Sequence, residues 1–268
     1  MEAKDMHINR AKQVLAEGGI ALGYGVRFFG GGEVARFLAS AGYDFMFIDA
    51  EHSHFNLETI TALCRAGIEA DIAPIVRVCG LEAHLSSRVL DNGAMGLIFP
   101  HIEEVEEVRA IERMVYFPPQ GKRSLAGPSA INDYRPAPAL EMMRALEDET
   151  LVVIMVESAR AVENLDALLS LGVAHVALIG SNDLMAELGV PGQKDHPEVE
   201  AAFRRVIEVC RRHDVAPGMG GLYELETLEK WIKAGMRFLY CANDGEFLIR
   251  APAEKAAALR DIMTRAKS

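Results

Sequence analysis

Clustered positive charge is what this sequence most conspicuously lacks. Lys and Arg total 28 against 39 Asp and Glu, a formal net charge of −11. That balance argues against nucleic acid or an anionic membrane surface as partner, since both need cationic patches. An anionic substrate would have to be captured by a local positive site. The four cysteines (Cys64, Cys79, Cys210, Cys241) lie far apart, with no CxxC or CxxH pair. This favours a reducing compartment and no zinc knuckle. No apolar run approaches the roughly 18 residues that span a bilayer. The opening residues, MEAKD, lack the basic-then-apolar layout of a signal peptide. We therefore expect a cytoplasmic protein. The cluster FGGG at 29–32 lacks GxGxxG spacing after its strand, which leaves a dinucleotide fold without support.

What is present is a steady alternation. Half of the 268 residues are hydrophobic, ample for the core of one α/β barrel or of two small domains. Apolar runs at 20–26, 44–49, 73–78, 95–100, 151–156, 175–180, 215–219 and 238–242 read as buried strands. Amphipathic helices are predicted at 1–19, 33–41, 57–66, 82–90, 105–114, 139–146, 161–170, from 184, and at 198–212, 224–234 and 247–266. Only 116–149 interrupts the rhythm, with PPQGKR at 118–123, Gly127-Pro128 and two further prolines. A loop of that length is more often functional than idle; a lid and a subunit contact are both open. Without a linker or composition shift, residues 1–268 read as a single (β/α)8 TIM barrel.

In such a barrel the carboxyl ends of the strands meet at one rim, where chemistry is placed. Those ends supply Glu51 and His52, Arg77, His101, Glu157 and Asp183. The set lacks Ser/His/Asp nucleophile logic, and no lysine closes a strand, which disfavours a Schiff base; Lys122, in the long loop, is the one weak candidate for it. Glu157 directly follows LVVIMV, so it either pairs with Arg160 or Arg77 or ligates a hard cation. Asp183, in GSNDL, is either a helix N-cap or a second ligand. Taken together, the two acids favour an Mg²⁺ or Mn²⁺ site (Co²⁺ being possible) with positions open for a chelating substrate. Ser181, Asn182 and Asp183 stand at a helix start whose N–H groups could hold a carboxylate. Arg77, amid apolar neighbours, is either a structural pair or a cation for a developing enolate. His52 is a fair general base. The ring of His54 would have to turn inward for a His-x-His metal pair, and His101 is open between rim filler and substrate contact.

At these residues the sequence resembles the HpcH/HpaI family of class II, divalent-metal-dependent pyruvate aldolases, such as 4-hydroxy-2-oxoheptanedioate aldolase and 2-keto-3-deoxy-sugar-acid aldolases. The pieces are FIDAEH at 47–52, IVRV at 75–78, VLDNG at 89–93, YFPPQGKR at 116–123, Glu157 with AVENL at 161–165, GSNDL at 180–184, HPEV at 196–199 and APG at 216–218. They cover about residues 20–250 in the family's order. The resemblance implies that Glu157 and Asp183 hold the metal, Arg77 contacts the keto oxygen of pyruvate, His52 is the base and Asp91 pairs with that histidine. It also implies a last helix packed on a neighbouring subunit, in a homohexamer built as a trimer of dimers. Met155 replaces the family's Gln, Ser181 and Asn182 its Pro and Ala, His101 its Met, and a Trp is missing near Tyr24. These changes bear on the aldehyde side. The expected reaction is reversible cleavage of a 4-hydroxy-2-oxo acid to pyruvate and an aldehyde. Oxaloacetate decarboxylation through the same enolate and a non-catalytic keto-acid-binding barrel are the alternatives.

Overall fold

Leu151–Val156 is buried at every position, which a strand achieves only when covered on both faces. The computed structural model, which describes residues 6–266, shows how that cover is made. Among the described residues, parallel strands β1 (Ala21–Val26), β2 (Phe45–Asp49), β3 (Ala73–Arg77), β4 (Gly96–Phe99), β5 (Leu151–Val156), β6 (Val176–Gly180), β7 (Ala216–Gly220) and β8 (Phe238–Asn243) close in chain order into a barrel. β8 bonds back to β1 through a register shift at Gly23/Tyr24. The connecting helices are α1 (Arg10–Ala16), α2 (Glu33–Ser40), α3 (Leu57–Glu69), α4 (Ala83–Asp91), α5 (Val105–Val115), α6 (Ala139–Glu149), α7 (Ala159–Leu169), α8 (Ser181–Glu187), α9 (Pro197–Arg212), α10 (Leu225–Ala234) and α11 (Asp244–Arg265). None is long and apolar enough to cross a membrane. The barrel expected from the sequence is the one observed.

Strand alternation sorts the core into two layers. Met46, Ile48, Val76, Val152, Ile154 and Ile179 face outward and pack with helix residues such as Leu63, Leu165 and Phe203. Phe45, Phe47, Ile75, Val153, Leu178 and Phe238 face inward and fill the barrel, with Phe45 stacked on Phe238 at 4.2 Å. The inward parity has a consequence for chemistry. Continuing it to the carboxyl ends puts Asp49, Arg77 and Glu157 on the interior side.

The first helix is shorter than expected. It starts where the Asn9 side chain accepts the Lys12 N–H at 3.1 Å, and Gly18, at φ +82, stops it; the expected start at 1–5 lies outside the described residues. Residues 116–149 do not form a lid. Phe117, Ile131, Met142 and Leu146 join the strand-starting residues Phe45, Met95 and Leu151 in one apolar cluster. Burying such side chains stabilises by about 1.5–3 kcal/mol each, so the segment is a plug under the amino end of the barrel. Lys122 is exposed there, its backbone N–H bonded to the Arg113 carbonyl in the last turn of α5.

Candidate active site

The turn after β2 is set by one side chain. Asp49 Oδ1 accepts the backbone N–H groups of Glu51 and His52, each at 3.1 Å, and takes the Nε–H of Arg77 at 3.0 Å. Its Oδ2 lies 2.6 Å from Arg77 Nη2. Arg77 Nη1 meets Glu51 Oε2 at 3.1 Å. Arg77 is 8% exposed, and its guanidinium sits over the Phe47 ring at 5.2 Å. Burial alone would push Asp49 up and Arg77 down. The hydrogen bonds and charge each gives the other overcome it, so Asp49 stays below the usual carboxylate range and Arg77 is raised. The result is a rigid cation whose remaining N–H groups are free for a substrate oxygen.

Glu157, 3% exposed, follows β5. Among the described residues it forms no close ion pair with Arg160, which bonds Glu104, or with Arg77, whose charge acts on it from a longer range. Its Oε2 accepts the His101 backbone N–H at 2.8 Å and faces His101 Nδ1 at 3.2 Å. Burial raises its pKa, and the negative charge of Asp183 adds to the rise. Space for the carboxylate exists because β6 ends in Gly180, where a Cβ would lie 2.5 Å from Glu157 Oε1. Among the described residues nothing hydrogen-bonds that Oε1. Asp183 is not an N-cap: Gly180 occupies that place, and Asp183 lies exposed in the first turn of α8.

A cavity of about 130 Å³ at the carboxyl end joins Arg77, Glu157, Ser181, Asn182, Asp183 and His52 in its wall. Six of the expected site residues thus meet in one place. Ser181 Oγ is buried there without a hydrogen-bond partner, and His52 Nε2 is 3.6 Å from Glu51 Oε2. The exception is Asp91. It ends α4, which runs back to the amino end of the barrel, and its Oδ1 accepts from Arg123 Nη2 at 2.9 Å. Within one chain it therefore does not pair with His52. His54 is exposed beside Phe55 and takes no part in the cavity wall.

Sequence reasoning did not single out Asp49, Arg27, Tyr223 or Tyr240. Arg27 and both tyrosines line the same cavity, and Arg27 Nε lies 3.4 Å from Asp49 Oδ2. The parity of Phe45, Phe47 and Asp49, and of Phe238 and Tyr240, would have found two of the four. His101 is more than rim filler: at φ +54 its ring lies between Glu157 and Glu51, whose Oε1 is 3.8 Å from Nε2.

The donor set suits a hard dication. Two carboxylates, Glu157 after β5 and Asp183 after β6, face one cavity, and among the described residues one oxygen of Glu157 lacks a protein donor. Among the described residues no group of three or more His, Cys, Asp or Glu side chains is placed to hold a metal ion, so the residues that would hold one here are Glu157 and Asp183.

Comparison with known proteins gives a consistent result. A sequence model of the HpcH/HpaI aldolase/citrate lyase family matches residues 32–251. The chain is 32% identical over 253 residues to the 4-hydroxy-4-methyl-2-oxoglutarate aldolase of Hapsidospora irregularis, covering 92% of this chain and 93% of that protein. It is 31% identical over 225 residues to a 4-hydroxy-2-oxo-heptane-1,7-dioate aldolase of Escherichia coli, covering 84% of each. The crystal structure of an HpcH/HpaI aldolase from Desulfitobacterium hafniense superimposes with a TM-score of 0.89 at 25% identity, covering 93% of this chain and 96% of that one.

Proposed function

Because this chain belongs to the HpcH/HpaI aldolase/citrate lyase family, we propose that it is a class II pyruvate aldolase, an aldehyde-lyase that reversibly cleaves a 4-hydroxy-2-oxo acid to pyruvate and an aldehyde. The observation that carries the proposal is the meeting of Glu157 and Asp183 with Arg77 and His52 in one cavity wall. Glu157 and Asp183 would hold Mg²⁺ or Mn²⁺, and such an ion supplies electrophilic polarisation of the 2-oxo group.

The remaining work falls to side chains. His52 takes the proton of the 4-hydroxyl, so that this oxygen becomes the aldehyde carbonyl as the C3–C4 bond breaks. The electron pair of that bond moves onto the pyruvate fragment as its enolate, and protonation at C3 completes pyruvate. Arg77, fixed by Asp49 and Glu51, keeps a positive charge where the enolate oxygen develops, in a site that needs no reorganisation. Ser181 Oγ, buried and without a protein partner, is a ready donor for the substrate carboxylate, beside the N–H groups of Asn182 and Asp183.

In this reading residues 1–268 form one catalytic domain, cytoplasmic in keeping with its free cysteines. The chain works as a homohexamer. Its support is α11, whose Ile249, Leu259, Ile262 and Met263 stand exposed, an apolar face that calls for cover.

The test is pyruvate release from a 4-hydroxy-2-oxo acid, with and without EDTA. Activity should be lost in EDTA, return with Mn²⁺ or Mg²⁺, and fall about 10³-fold in Glu157→Gln. Undiminished turnover in EDTA excludes the mechanism.

A further inference from the structure

A larger cavity, about 460 Å³, lies at the opposite end of the barrel, under α1. Its charged and polar wall is made mostly of donors, in a chain of net charge −11. Lys12 comes from α1, His175 from the residue before β6 and Arg237 from the residue before β8. Each has a structural contact that leaves donor capacity over. Lys12 Nζ donates to the Thr150 carbonyl at 3.2 Å. Arg237 donates Nε–H to the Gly19 carbonyl at 3.2 Å and Nη2–H to the Leu15 carbonyl. These acceptors are neutral, and among the described residues neither cation forms an ion pair. Glu149 and Asp148 act on Lys12 only from a distance.

His175 adds a donor of fixed orientation. Its Nδ1 accepts the Val152 N–H at 3.0 Å, so the ring proton sits on Nε2, which has no hydrogen-bond partner among the described residues. Burial and the charge of Lys12 hold this imidazole at about 4, so it remains a neutral N–H donor near neutral pH. The wall's other titratable groups do not reverse this balance. His213 is tied to Asp166 at 2.8 Å, and Asp214 is exposed. Two cations without a close ion pair among the described residues, and an oriented N–H around one cavity, have the chemistry of an oxyanion site.

We propose that this cavity binds a small multivalent oxyanion of the phosphate or polycarboxylate class, held by Lys12, Arg237 and His175. The bound anion ties α1 to the starts of β6 and β8. The site is separate from the carboxyl-end cavity, so it stands or falls independently of the aldolase reading.

The test is titration calorimetry of the metal-free full-length protein at low ionic strength, with inorganic phosphate and with citrate in separate arms. At least one should bind with a Kd below about 1 mM, and the tighter arm assigns the class. Lys12→Met and Arg237→Gln should each weaken binding about tenfold or more. Arg77→Ala, in the other mouth, should leave it unchanged. Should Arg237→Gln unfold because it loosens α1, thermal unfolding will reveal that, and Lys12→Met decides. Absence of binding by either anion up to about 10 mM overturns the proposal. So does binding that Lys12→Met leaves intact or that Arg77→Ala abolishes.

Discussion

Gly180 shows how a residue without a side chain can govern a charged one. A Cβ there would stand 2.5 Å from Glu157 Oε1 and 2.7 Å from its Cγ, so Gly180→Ala must push the carboxylate off its place at the end of β5. We expect Gly180→Ala to lower kcat/KM about 10²-fold, the cost of a displacement near 1 Å at a reacting centre. Thermal stability should change little, because the displaced group is the end of a side chain. Unaltered kcat/KM in this variant would mean that the position of Glu157 does not matter to turnover. The Asp49–Arg77 pair makes a related point. The sequence displays Asp49 in plain view within FIDAEH, yet its partner lies 28 residues away. Only the shared inward parity of β2 and β3 joins them.

Elements carry the next level of explanation. Strand and helix positions were legible because buried strands of a parallel sheet are uninterrupted apolar runs and the helices between them are amphipathic. The ends moved by a residue or several where capping decided them. Asn243 accepts the Glu246 N–H at 3.0 Å and starts α11 at Asp244, three residues earlier than periodicity suggests. Two matters were not legible. The purpose of 116–149 depends on which end of the barrel its apolar residues reach, and local pattern does not encode that. The partner of Asp91 depends on the direction in which α4 returns, and this direction takes it away from His52 toward Arg123. For α11 we expect light scattering to give a mass several times that of one chain. The pair Leu259→Glu and Ile262→Glu, three residues apart on one helix face, should yield smaller species with the helical spectrum preserved. A monomeric wild type, or an assembly indifferent to both changes, would refute the assignment of this helix to a subunit contact.

For the whole molecule, the barrel separates two kinds of site. Acids gather at the carboxyl rim, where Asp49 and Glu51 fix Arg77 and Glu157 and Asp183 face the same cavity, whose wall also holds Arg27. Donors gather under the amino end, where Lys12 and Arg237 line one cavity and, among the described residues, hydrogen-bond backbone carbonyls. Neither grouping follows from the net charge of −11; both follow from strand order, which brings side chains more than a hundred residues apart in the chain to one wall. The account rests on Glu157 and Asp183 sharing one cation. The direct measurement is anomalous scattering from crystals soaked in Mn²⁺ and pyruvate. A single peak between the two carboxylates, absent from Glu157→Gln, is the expected result. Carboxylates turned apart with no peak between them, or a peak held by other residues, would contradict it.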